Sequence, residues 1–204
     1  MIQLYQEQWK RLKYDFGTYI LWLSVAFFAS IVLSFLVMVS NEKLLFFLVE
    51  KVFQMFQESD LLDPNVSELE LAWGLFLNNT RACLTIFALG FIPIFILPVG
   101  ALVMNAGVIG VILAFIQKSD QSVIAMIFQG LLPHGIFELP AIIISTALSV
   151  YISVSIWKKL NDSKRFSLKV PIVHSLKTLG LVCIPLLVIA AFIEAFVTPL
   201  LLNS

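Results

Sequence analysis

His134 and Glu138 stand four residues apart in Leu132-Pro133-His134-Gly135-Ile136-Phe137-Glu138-Leu139-Pro140, between two prolines and inside sequence apolar enough to lie in a bilayer. At that spacing an imidazole and a carboxylate share one face of a helix. Ionisable groups at membrane depth cost ~2.5–3.5 kcal/mol on insertion scales, so they face a cavity or a partner. A second carboxylate, Glu194, sits in the apolar run Ala191-Phe192-Ile193-Glu194-Ala195-Phe196-Val197-Thr198-Pro199, and Asn78, Asn79 and Arg81 interrupt another.

Three chemistries fit these residue types. Arg81, His134, Glu138 and Glu194, with Asn78 beside them, can form a buried polar cluster whose charges nearly cancel and which ties a broken helix to its neighbours. Two carboxylates and one imidazole can instead bind zinc or serve a hydrolytic centre. The third use is a conduction or substrate pathway, where a broken helix turns backbone dipoles toward a cavity. There is no HExxH motif, and the other histidine, His174, falls near the opposite membrane face. No catalytic residue is therefore assigned, His134, Glu138 and Glu194 being the candidates. No cofactor is expected, zinc being the one these side chains would admit. P-loop, nucleophile-elbow and dinucleotide signatures are absent from the sequence.

The elements that position these groups are membrane spans. Hydrophobic residues make up 60% and charged residues 13% of the 204 positions, against about 45–50% and 25% in soluble domains. Mean hydropathy is +0.98. A spanning helix needs about 20 mostly apolar residues. Tyr19–Val39, Leu71–Ile92, Gly135–Trp157 and Leu176–Leu200 qualify, and Gly100–Gln117 is shorter but uncharged. Val123–Leu132 is too short to cross and reads as half of a broken or re-entrant helix ending at Pro133. The expectation is an all-α polytopic membrane protein of about five spans, forming a single membrane domain over 1–204.

Loop charge orients the spans, because Lys and Arg concentrate in the cytoplasm. Lys10, Arg11 and Lys13 precede the first span, which reads as an uncleaved signal anchor. Lys158, Lys159, Lys164, Arg165 and Lys169 follow the fourth. Glu42, Glu50, Glu58, Asp60, Asp63, Glu68 and Glu70 make the loop after the first span acidic. Five crossings satisfy all three loops, with a cytoplasmic N-terminus and an extracytoplasmic C-terminus. In that topology Asn78, Arg81, His134, Glu138 and Glu194 fall in one layer about 10 Å deep.

Two flanking segments are amphipathic. Tyr5, Trp9, Leu12 and Phe16 recur at helical spacing in a cytoplasmic arm, 1–16. In the extracytoplasmic segment 41–70, Lys43, Glu50, Gln54 and Gln57 make a narrow polar stripe. That helix either lies on the membrane surface or packs over the mouth of the bundle. Asp63-Pro64-Asn65 reads as a turn, with Ser67 capping the next helix. Gly90, Pro93, Pro98 and Gly100 read as a turn or kink. Asn105, Gly107 and Gly110 form a small-residue packing face, and Pro133, Gly135 and Pro140 shape the helix that carries His134. Cys83 and Cys183 read as buried thiols, with no zinc-site spacing. No basic stripe interleaved with aromatics exists, so a nucleic-acid partner is not expected.

These elements together resemble the stage II sporulation protein M family of prokaryotic membrane proteins. The resemblance is carried by Phe76-Leu77-Asn78-Asn79-Thr80-Arg81-Ala82, Gly90 with Pro93, Asn105-Ala106-Gly107-Val108-Ile109-Gly110, the His134 segment and Ala191–Pro199. It extends over nearly the whole chain from about Leu12. Asn105-Ala106-Gly107 departs from the family's more usual Asn-Gly pair. The resemblance implies a cell-membrane protein that works with other membrane proteins, as a scaffold or transport partner. Relatives hold cell-wall hydrolases at the membrane during sporulation, sit beside ABC transporters, or belong to bacteriocin maturation and export. Homo-oligomers are compatible with that role. The alternative function is an intramembrane metal-dependent hydrolase built on His134, Glu138 and Glu194.

Overall fold

The computed structural model describes residues 2–57, 66–161 and 167–202. Among them there are helices and no strand. We label these α1 (Ile2–Tyr14), α2 (Gly17–Ser40), α3 (Glu42–Gln57), α4 (Glu68–Leu89), α5 (Ile96–Lys118), α6 (Val123–Asn161) and α7 (Lys169–Leu202). The protein is an all-α polytopic membrane protein. Four described helices, α2, α5, α6 and α7, are long and apolar enough to cross a bilayer. α4 has the length, but Asn78, Asn79 and Arg81 lower its hydropathy.

α4 starts where Ser67 and Glu70 build a reciprocal capping box, which satisfies two of the amide donors a helix N-terminus leaves open. The expected turn at Asp63-Pro64-Asn65, and the loop charges Glu58, Asp60, Lys164 and Arg165, lie outside the described residues. Gly90 and Pro93 do fall in the connection after α4, whereas Pro98 and Gly100 belong to the first turns of α5. Proline costs least there, because first-turn amides have no intrahelical partner.

Side-chain register fixes the helix directions. Ser34 Oγ donates to the Gly107 carbonyl at 2.9 Å, and Lys118 Nζ meets Glu42 at 2.7 Å. Gly110 lies against the Ile31–Phe35 turn that carries Ser34. The numbers rise together, so α2 and α5 run parallel. A serine ladder sets α4 parallel to α6. Ser145 donates to the Cys83 carbonyl at 2.7 Å, Ser149 to Ile86 at 2.6 Å, and Ser153 to Ile92 at 3.0 Å. α2 opposes α6, since Phe16 and Tyr19 meet the Tyr151 ring while Phe27 reaches the Glu138 level. α7 opposes α4, with Ala191 and Ala195 packed on Leu75 and Ala72. Two sets of opposed helices result, α2, α5 and α7 against α4 and α6.

The core follows α6, whose Ala141, Ala147, Leu148 and Ile152 are fully buried. Cys83 and Cys183 lie in the same core as free thiols. α3 packs through Leu45 and Val49 onto Met38, Val111 and Ala114, so it covers one end of the bundle. One face of the helix thus packs on the bundle, while Phe46, Phe47 and Phe53 on its other side stay exposed.

α6 corrects one expectation. No break occurs at Pro133, and Val123–Asn161 is continuously helical over 39 residues. At 1.5 Å per residue it is about 58 Å long, well beyond a hydrocarbon core of about 30 Å. Instead of a break there is a π-helical segment, Met126–Leu131, ending two residues before Pro133. The same arrangement occurs twice in α7, where π segments Leu179–Cys183 and Ile193–Val197 end two residues before Pro185 and Pro199. A proline ring clashes with the carbonyl four residues back and lacks its own N–H. Widening the preceding turn to i→i+5 bonding relieves the clash without ending the helix.

Candidate functional site

A cavity of about 310 Å³ lies between the helices, and its polar lining consists of Asn78 and Asn79 of α4, Asn105 of α5, His134 and Glu138 of α6 and Glu194 of α7. Phe27 of α2 and Val52 of α3 contribute apolar wall. Four of the five residues predicted to form one layer are therefore brought together. One ligand atom each from His134, Glu138 and Glu194 lies within 4.8 Å of the others.

Local structure explains the placement. His134 and Glu138 occupy successive turns of one α-helical stretch, and Gly135 between them is buried on the cavity wall. Glu194 lies inside the π segment Ile193–Val197, across from them. Thr198 closes that segment, its Oγ1 donating to the Ile193 carbonyl five residues back at 3.3 Å. The same oxygen stands 3.5 Å from His134 Nδ1. A Thr198 hydroxyl that donates to Ile193 can accept from Nδ1–H at that distance, and the tautomer that does so keeps Nε2 free.

Arg81 departs from expectation. It is exposed, does not line the cavity, and makes no ion pair among the described residues. The reason is helical phase. Leu75, Asn78 and Asn79 at i, i+3 and i+4 make the cavity face of α4. Arg81 at i+6 is turned roughly 120° from Leu75 at 3.6 residues per turn. A common depth therefore did not entail a common face. No lysine or arginine lines the cavity.

Asn105, expected on the packing face of α5, lines the cavity instead, its amide donating to the Ala101 carbonyl at 3.0 Å. Gly110 and Gly90 are the contact glycines. A Cβ on Gly110 would stand 2.6 Å from the Ile31 carbonyl, and one on Gly90 would stand 2.7 Å from Ser149 Cα. Gly107 accepts the Ser34 hydrogen bond but leaves space for a methyl group. Pro140 lies inside α6 without a π segment around it.

The family model described as stage II sporulation protein M matches residues 23–199. The chain belongs to that family. Every residue that lines the cavity falls within the matched region. An uncharacterized protein of Methanocaldococcus jannaschii is 28% identical over 185 residues, covering 88% of this chain and 80% of the relative. A second uncharacterized protein of the same organism is 35% identical over 98 residues, covering 48% of this chain and 54% of its own length. No solved structure matches.

Two features of the site escaped the sequence reasoning. The π segments beside His134 and around Glu194 precede the mid-helix prolines Pro133 and Pro199, of which Pro133 reads from sequence as a helix break and Pro199 as part of an intact span. The anchoring of α6, which carries the site, was signalled by Ser145, Ser149 and Ser153 at i, i+4 and i+8 of an otherwise apolar stretch.

Proposed function

We propose that this member of the stage II sporulation protein M family is a non-enzymatic component of a membrane assembly or export system, with the polar cavity as its working site. The observation that carries this reading is the makeup of the cavity lining. It holds ionisable and amide side chains but no serine, threonine or cysteine. The hydroxyls of Ser145, Ser149 and Ser153 are committed to carbonyls of the α4 chain segment, and both thiols are buried in the core. The lining thus supplies no hydroxyl or thiol nucleophile, and its carboxylates, imidazole and amides suit the holding or passing of a polar or cationic ligand.

In this reading α2, α4, α5, α6 and α7 all cross the membrane. Two parallel crossings, α2 and α5, require a return between them, and α4 supplies it. Loop charge then sets the N-terminus in the cytoplasm and the C-terminus outside. α1 lies along the cytoplasmic interface, with Trp9 and Tyr14 exposed to headgroups. Partners of the kind the family suggests are an ABC transporter, cell-wall hydrolases or further copies of the chain.

The test is purification of the tagged chain from native membranes in mild detergent after cross-linking. Recovery of the same membrane proteins with wild type, and their loss with Glu138→Gln plus Glu194→Gln, supports the proposal. A chain that purifies alone and cleaves a peptide or lipid would instead establish the second reading, an intramembrane metal-dependent hydrolase. That reading is favoured by the approach of His134, Glu138 and Glu194.

A further inference from the structure

We propose that His134, Glu138 and Glu194 form a binding site for one divalent transition-metal ion, with zinc the best match. The site stands whichever of the two functional readings holds, and its test measures metal rather than activity.

Geometry comes first. The three donor atoms already lie within 4.8 Å of one another before any ion draws them together. In a tetrahedral zinc site with bonds of 2.0–2.1 Å, neighbouring donors sit roughly 3.3 Å apart. Two glutamate side chains, each with three rotatable bonds, can close that difference without backbone movement. The ligands come from both sides of the cavity, His134 and Glu138 from α6 and Glu194 from α7, so an ion would clamp the two helices.

Charge points the same way. Glu138 and Glu194 receive no N–H or O–H hydrogen bond among the described residues, and no cationic side chain lines the cavity. Two ionised carboxylates in such a place need compensation. A dication cancels them completely. Arg81, the compensating charge expected from sequence, faces elsewhere.

The histidine is prepared for the role. It is only 9% exposed, and Thr198 Oγ1 stands 3.5 Å from Nδ1, where it can hold the ring with Nε2 free to bind. Metal-bound imidazoles almost always have their other ring nitrogen engaged in this way. Donor type then selects the ion. Imidazole suits zinc, iron, nickel and copper, carboxylate suits harder ions such as manganese, and the mixed His/Glu set is one that zinc accepts in open, three-ligand sites. Mg²⁺ is disfavoured, because it prefers an all-oxygen octahedron and retains its waters. Asn78, Asn79 and Asn105 leave the remaining coordination positions open to water or a ligand.

The experiment uses the full chain in detergent, stripped with a chelator, reloaded with Zn²⁺, Mn²⁺ or Mg²⁺ and dialysed. Metal content is read by elemental analysis and stability by thermal shift. Wild type is expected to retain about one zinc per chain and to melt higher when loaded, since an ion that binds only the folded state stabilises it. His134→Gln, Glu138→Gln and Glu194→Gln should each lose the zinc and the shift. Thr198→Val, which leaves all three ligands in place, should weaken zinc binding by ~10-fold or more. Where a ligand variant fails to fold, Thr198→Val and the visible spectrum of bound Co²⁺ in wild type still decide. The proposal is overturned if stripped wild type takes up no zinc, or if all ligand variants retain it as wild type does.

Discussion

Lys118 Nζ sits 2.7 Å from Glu42 Oε1, joining the C-terminal end of α5 to the start of α3, just beyond the end of α2. This contact closes the parallel α2–α5 pair and holds α3 across its end. The lysine lowers the Glu42 carboxyl below its ordinary value of 4.5, by hydrogen bond and by charge. A carboxylate with a depressed pKa contributes stability that is present above the ordinary value and lost as pH falls through the folded one. The loss therefore belongs below pH 4.5. Glu42→Gln should lower the melting temperature slightly at neutral pH, by little because the pair is exposed and screened, and variant and wild type should converge as pH falls below 4.5, so that the acid-side slope of the variant is shallower. Equal acid-side slopes in wild type and variant would remove the ion pair as a fastening.

Topology is tested by labelling. In a cysteine-free background, Asp63→Cys should react with an impermeant thiol reagent added outside, and Ser163→Cys should react only after lysis. The pattern follows from loop charge and from the parallel directions of α2 and α5. Labelling of both from outside would contradict the five-crossing arrangement.

Gly90 and Gly100 should respond in opposite directions to alanine. A Cβ at Gly90 would press on the Ser149 backbone, 2.7 Å from its Cα, whereas one at Gly100 would meet nothing within 4 Å. Backbone cannot swing aside as a flexible side chain can, so Gly90→Ala should separate α4 from α6 and cost about 1–3 kcal/mol. Gly100 lies within α5, where alanine is favoured by roughly 0.5–1 kcal/mol. Ser149→Ala should cost less than Gly90→Ala, about 0.6 kcal/mol, the average for a hydrogen bond between membrane helices. Melting temperatures of the three variants give the order directly.

Arg81→Ala should melt no lower than wild type, because a guanidinium at membrane depth that meets neither the cavity nor a partner supplies no stabilising contact to lose. Its side chain is exposed and pairs with no acidic residue among the described ones. A large loss of stability would place the guanidinium in the cavity after all.

Sequence patterning carried the helical membrane class, the segments that become α2, α5 and α7, and the layer that gathers Asn78, His134, Glu138 and Glu194. Those followed from span length, loop charge and helical rise, each a one-dimensional quantity. What it could not carry was azimuth. Arg81 and Asn79 share a depth but lie on opposite faces of α4, and Asn105 reads as packing because its neighbours Gly107 and Gly110 do pack. The continuity of α6 through Pro133 was also hidden, because proline is compatible with either a break or a widened turn. Only the surrounding helices decide which one the chain adopts. The capping role of Ser67, by contrast, is local and was legible from Ser67 and Glu70 alone.

The widened turns yield the last prediction. π segments persist when something compensates for their poorer bonding, and they recur at functional sites. Here they lie next to His134 and around Glu194, each two residues before a proline. Replacing Pro133 or Pro199 by alanine restores an amide donor and removes the ring clash, so the turn can close to ordinary α geometry. An interior proline is about 3 kcal/mol worse than alanine in a regular helix. Because the π turn has already relieved much of that, the expected gain is smaller, about 1 kcal/mol. Closing the turn also changes the helical phase of the residues on its two sides by one position, roughly 100° at 3.6 residues per turn. In Pro199→Ala that rotation carries Glu194 away from His134, and in Pro133→Ala it shifts the Met126–Leu131 wall. Pro199→Ala should therefore melt higher than wild type yet retain less zinc, with Pro133→Ala affecting zinc less. Stability that rises without loss of metal would mean that the π turn at Glu194 serves the helix alone.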